Sequence, residues 1–86
     1  MEIDISKNFH KRYQKLSPKL QGKVKEALKT FAQNPHHKNL NNHALIGKWT
    51  GYRSINITGD YRAVYLPATE NLARFYTLGS HSSLYR

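Results

Sequence analysis

The apolar residues of this chain change their spacing once, at Asn34-Pro35, and that change decides the fold class. Before it, Phe9, Tyr13 and Leu16 recur at i, i+4 and i+7, and Leu20, Val24, Ala27, Leu28 and Phe31 form a second stripe. Both are the pattern of amphipathic helices. After it, β-branched and aromatic residues gather in short runs broken by turn residues, as strands do. Ser6 is placed to cap the first helix. Ser17-Pro18 reads as the cap and first residue of the second, because proline at that position gives up no hydrogen bond the helix needs. Asn34-Pro35 stops it, since the residue before proline is pushed out of the helical region. With only Leu16-Ser17 between them, the helices are expected to form an antiparallel hairpin.

The second half supplies strand candidates over residues 49–58, 61–66 and 72–78. Thr58-Gly59-Asp60 and Pro67-Ala68-Thr69-Glu70-Asn71 are short enough for hairpin turns, which makes the sheet an antiparallel meander. Residues 36–47 are polar, lack a period and read as a loop. Ile3-Asp4-Ile5 can add an edge strand. The expected architecture is a single α+β domain over residues 1–86, with an N-terminal α-helical hairpin packed on an antiparallel β-sheet of three to four strands.

Charge narrows the partners. Fourteen Lys and Arg oppose five Asp and Glu, a formal charge of +9. Eight of the basic residues (Lys7, Lys11, Arg12, Lys15, Lys19, Lys23, Lys25 and Lys29) fall in the helical half. Such a field draws polyanions, and an acidic protein can share the same surface. Cysteine is absent, which excludes disulfides, thiol nucleophiles and thiolate metal sites. No run approaches the roughly 18 apolar residues of a membrane span. The opening Met1-Glu2-Ile3-Asp4 is unlike a signal peptide, so the expected location is cytoplasmic, away from membranes.

The residue inventory also restricts the chemistry. There is no phosphate-binding glycine loop, no GxSxG, no HExxH and no EF-hand. After Glu26 the acidic residues are Asp60 and Glu70 alone, too few for a paired-carboxylate glycosidase or a two-metal nuclease. His36-His37 has no third ligand spaced to join it, so neither a metal nor a cofactor is expected. What remains is His, Arg, Tyr and one Asp on a basic body. That set suits metal-free cleavage of RNA, in which the ribose 2′-hydroxyl attacks. The protein need only move two protons and stabilise phosphoryl charge. Imidazole titrates near neutrality, and guanidinium holds phosphate through two bonds.

Three ordered blocks then carry a resemblance. HALIGKWTGYR from His43 to Arg53, ITGDYRAVY from Ile57 to Tyr65, and TLGSHSSLY from Thr77 to Tyr85 resemble the motifs of the YafQ-like branch of the RelE/ParE superfamily. These are bacterial toxins of type II toxin–antitoxin pairs. The resemblance implies the RelE-like fold, a ribosome-dependent mRNA endoribonuclease acting on mRNA in the A site of the 30S subunit, and neutralisation by a cognate antitoxin.

Residue by residue, it implies that His81 is the general acid. Asp60 becomes a base or the orienter of a histidine, and His43 a second candidate base. Arg62 takes the place of a phosphate-binding arginine. Tyr85 and Tyr61 stand where aromatics can stack on bases, and Lys48 and Arg53 are further candidate RNA contacts. The chain departs from the branch at Ser54 and Asn56, where the pattern has an acidic residue and a histidine. Two alternatives share the fold: a ParE-like toxin that inhibits gyrase by binding, and a catalytically weak relative that binds RNA or protein.

Overall fold

The computed structural model describes residues 1–85. In chain order it holds β1 (Glu2–Ile5), α1 (Lys7–Gln14), α2 (Pro18–Gln33), β2 (His43–Ala44), β3 (Arg53–Asn56), β4 (Tyr61–Thr69), β5 (Leu72–Ser80) and α3 (His81–Leu84). Short 3₁₀ turns at Lys38–Leu40 and Gly47–Trp49 flank β2.

Both predicted caps form. Ser6 Oγ accepts from Phe9 N at 3.1 Å, and Ser17 Oγ accepts from Leu20 N at 3.3 Å, each taking up a backbone donor at the open end of its helix. Pro18 opens α2, and Asn34 closes it in an extended conformation (φ −153°) ahead of Pro35. Gln21 Nε2 donates to Tyr13 O at 3.0 Å, fastening one helix to the other.

The sheet has five strands in the order β1-β5-β4-β3-β2. The three pairings among β2, β3, β4 and β5 are antiparallel, and β1 lies parallel to β5 at the edge, with Glu2 beside Leu72 and Ile5 beside Phe75. The fifth strand is the two-residue β2, inside the stretch read as loop and too short to show a period. Two further boundaries differ from expectation. Residues 49–52 are not strand, because Gly47 (φ 67°) and Gly51 (φ 95°) turn the chain away before β3 begins. β4 runs on to Thr69 through Pro67, leaving a tight turn at Glu70-Asn71 instead of five loop residues.

The core lies between the helices and one face of the sheet. Phe9, Val24 and Phe31 from the helices are buried against Ile55, Ala63, Tyr65, Ala73, Phe75 and Leu78. Phe31 meets Tyr65 and Phe75 edge-on, with ring centroids 4.9 and 5.1 Å away, a favoured aromatic geometry. Register slips between Val64 and Tyr65: Val64 pairs with Thr77 but Tyr65 with Phe75, so Tyr76 is the extra residue of a bulge. The Ser6 hydroxyl takes the Tyr76 carbonyl as its acceptor.

Candidate active site

The opposite face of the sheet is covered only in part, by α3 and by the segment around β2. Leu40, buried, anchors the start of that segment, and Asn41 turns it in the left-handed region (φ 45°), which asparagine tolerates. His43 and Ala44 then pair with Ser54 and Arg53 of β3. Beyond them Leu45 N bonds Tyr52 O at 3.0 Å, closing a loop that projects Ile46, 87% exposed, into solvent. Trp49 closes the base of the loop. Its ring packs edge-on to Tyr52 and Tyr76, and its Nε1 donates to Leu84 O at 3.3 Å.

α3 springs directly from the end of β5. Ser80 caps it, its Oγ accepting from Ser83 N at 3.2 Å. Gly79 leaves the room it needs, since a Cβ there would lie 3.0 Å from Ser83 Oγ and 3.3 Å from both Arg12 Nη1 and Leu84 Cδ2. His81, the first residue of α3, is tied to the β3–β4 turn by its backbone N–H, which donates to Asp60 O at 2.9 Å.

Between α3 and the β2 segment lies a cleft of about 550 Å³. Five of the eight sequence candidates line it: His43, Lys48, Arg62, His81 and Tyr85. His43 Nδ1 lies 2.9 Å from Asn41 O. A carbonyl only accepts, so Nδ1 is the donor, which leaves Nε2 as the nitrogen whose lone pair a proton can take. The His81 and Tyr85 rings meet edge-on with centroids 4.9 Å apart. Arg62 donates through Nη1 to Thr58 O, Gly59 O and Tyr61 O at 3.1, 2.9 and 3.3 Å. The turn carbonyls thus hold one nitrogen of its fork, and Nε and Nη2 are uncommitted among the described residues. Among the described residues the charged side chains that line the cleft are Lys48 and Arg62, both basic, a lining that suits a phosphate.

The other three candidates stand elsewhere. Asp60 is exposed in the β3–β4 turn and reaches His81 through its backbone carbonyl rather than its carboxylate. Arg53 turns to the helix side, where its Nε donates to Asn42 Oδ1 at 2.8 Å, and Asn42 in turn bonds Tyr65 OH at 2.7 Å. Tyr61 packs against the core. Trp49, outside the sequence candidates, also lines the cleft. Its hydrogen bond to Leu84 joins residues 35 apart, which no local pattern signals. Asn56 pairs across the sheet with Arg62, and its Oδ1 is buried with no hydrogen-bond partner among the described residues.

This arrangement of a helix pair on one face of a mixed five-stranded sheet matches the fold of the RelE-superfamily toxins. The crystal structure of YafQ from E. coli strain BL21(DE3) is similar with a TM-score of 0.79 and 28% identity, over 99% of this chain and 98% of that one. YafQ in the E. coli DinJ–YafQ complex gives 0.70 and 26%, over 99% and 98%. The YoeB–YefM complex from Staphylococcus aureus gives 0.74 and 25%, over 94% and 97%. No curated protein is a significant match. The family model for the bacterial toxin of type II toxin–antitoxin system, YafQ, matches residues 1–86, and the chain belongs to that family.

Proposed function

We propose that this toxin is a metal-free endoribonuclease that cuts mRNA in the ribosomal A site and is silenced by a cognate antitoxin. The observation that carries this reading is the convergence of His43, Arg62 and His81 on one basic cleft. His43 Nε2 takes the proton of the ribose 2′-hydroxyl, and the 2′-oxygen attacks the adjacent phosphorus. Arg62 neutralises the charge that develops on the phosphoryl oxygens. The bond from phosphorus to the 5′-oxygen breaks, and the His81 imidazolium protonates the leaving oxygen. The products are a 2′,3′-cyclic phosphate and a 5′-hydroxyl. Tyr85 offers its ring to a base at the mouth of the cleft, and Lys48 a positive charge to the backbone. Asp60 acts through its backbone bond to His81, as an orienter rather than a base.

The antitoxin is assigned to the helical face. A groove of about 250 Å³ there is lined by Ile5, Phe9, His10, Tyr13, Lys25 and Leu28, mostly apolar with one lysine in its wall. The relatives YafQ and YoeB form complexes with DinJ and YefM. An acidic amphipathic segment fits such a groove, and its binding weakens with salt and with charge reversal of Lys11, Lys15 and Lys23. Affinity indifferent to both would remove it from this face.

The test of activity is primer extension on a translated message, wild type against His81→Ala. Cuts within codons that require ribosomes and vanish in the variant are expected. Intact mRNA together with trapped gyrase–DNA complexes would replace this reading with the ParE-like one.

A further inference from the structure

Ser54, which stands where the related motif has an acidic residue, has an explicit partner. The residue is 0% exposed, in the strand beneath α3, and its Oγ accepts a hydrogen bond of 3.1 Å from the Tyr85 hydroxyl. A carboxylate at this depth would need compensation for its lost hydration, whereas a hydroxyl needs one bond, which Tyr85 supplies. The Tyr85 ring lies edge-on to His81. A helix of four residues has no stability of its own. α3 is held by buried Leu84, by the bond from Trp49 Nε1 to Leu84 O, and by Tyr85 bonded to Ser54.

We propose that the Ser54–Tyr85 hydrogen bond is a latch that holds α3 against β3 and thereby sets the His81 ring in the cleft. Ser54 and the Tyr85 hydroxyl are positioning residues. The proposal rests on the assignment of His81 as the acid, and it gives Tyr85 a task beyond offering a flat ring to RNA. Phenylalanine at this position keeps the ring and loses the latch, which separates the two tasks.

The test uses the full chain with Ser54→Ala, Tyr85→Phe and the double variant. Two NMR signals read the latch without any cleavage assay. The His81 ring protons feel the ring current of Tyr85, and the indole N–H of Trp49, the one tryptophan in the sequence, is protected by the Leu84 carbonyl. In each variant the His81 signals move toward random-coil positions and indole exchange quickens, and the double variant is no worse than either single one. In the cleavage assay kcat falls about three- to tenfold with KM unchanged, the loss expected of one hydrogen bond. Unchanged NMR signals in Tyr85→Phe would overturn the latch whatever the activity. A raised KM with unchanged kcat would overturn it too, by assigning the hydroxyl to substrate binding. Moved signals in a protein whose wild type cuts no RNA would uphold the latch and refute the nuclease reading.

Discussion

The two faces of the sheet come from alternate residues of the same strands, yet they are held together by different means. On the helix side Ala63, Tyr65 and Phe75 meet Phe31 and Val24 in dense aromatic and aliphatic packing. On the cleft side Arg62 and Val64, each one residue away from that core, pair across the sheet with Gly79 and Thr77. Cover there comes from a four-residue helix and an irregular loop, tied down by single hydrogen bonds from Trp49, Tyr85 and the His81 backbone. The first face derives its stability from buried area and tolerates no loss of volume. The second buries Val64 and Leu84 and packs Trp49 on Tyr52 and Tyr76, and its cover depends besides on the direction of a few polar bonds. Substitutions on the two sides therefore fail differently, one in folding and the other in rate.

The largest separation is expected at His81. His81→Gln keeps a hydrogen-bonding side chain and removes proton donation, so cleavage falls by about 10²–10⁴-fold while the denaturant midpoint stays put. Phe31→Ala is its mirror image: about 3–5 kcal/mol of stability is lost in urea unfolding, and the folded fraction cleaves normally. Equal losses of rate and stability in either variant would dissolve the distinction between the faces. Arg62→Ala is expected to cost about 10²–10³-fold in kcat, as deletion of an electrostatic donor does. Arg62→Lys restores little of it, because a single ammonium cannot hold the turn carbonyls and a phosphate at once. The base is resolved by a pair of variants. His43→Gln lowers cleavage about 10²-fold, and Asp60→Asn, whose carbonyl bond to His81 persists, lowers it less than about 10-fold. The reverse ranking would make Asp60 the base. The smallest effect belongs to Gly79→Ala, where the added methyl must displace Ser83, Arg12 or Leu84, destabilising by about 1–2 kcal/mol.

How much of this could be read from the sequence depended on the range of the interactions. The caps at Ser6 and Ser17 join residues three apart, and both helices followed from them and from the stripe through Val24, Ala27 and Phe31. β4 and β5 showed through their short runs of β-branched and aromatic residues between turn residues. The 3₁₀ turn at Gly47–Trp49, the two-residue β2 and the four-residue α3 are too short for any period to register. In the site, the motif blocks brought five candidates to one cleft. Arg53 and Tyr61 went to the helix side because they share strand parity with Ile55 and Ala63, a signal that alternation alone carried. The Ser54–Tyr85 bond spans 31 residues, and only the folded sheet brings its partners together.

All of the chemistry assigned to the cleft turns on which oxygen attacks the phosphorus. End-group analysis of the cleaved message, by mass spectrometry or by resistance of the ends to ligation, reads this directly. Attack by the 2′-oxygen, with His43 and His81 moving the protons, leaves a 2′,3′-cyclic phosphate or its hydrolysed 3′-phosphate, opposite a 5′-hydroxyl. A 5′-phosphate opposite a 3′-hydroxyl would mean that water attacked, and the roles given to His43, Arg62 and His81 would fall together.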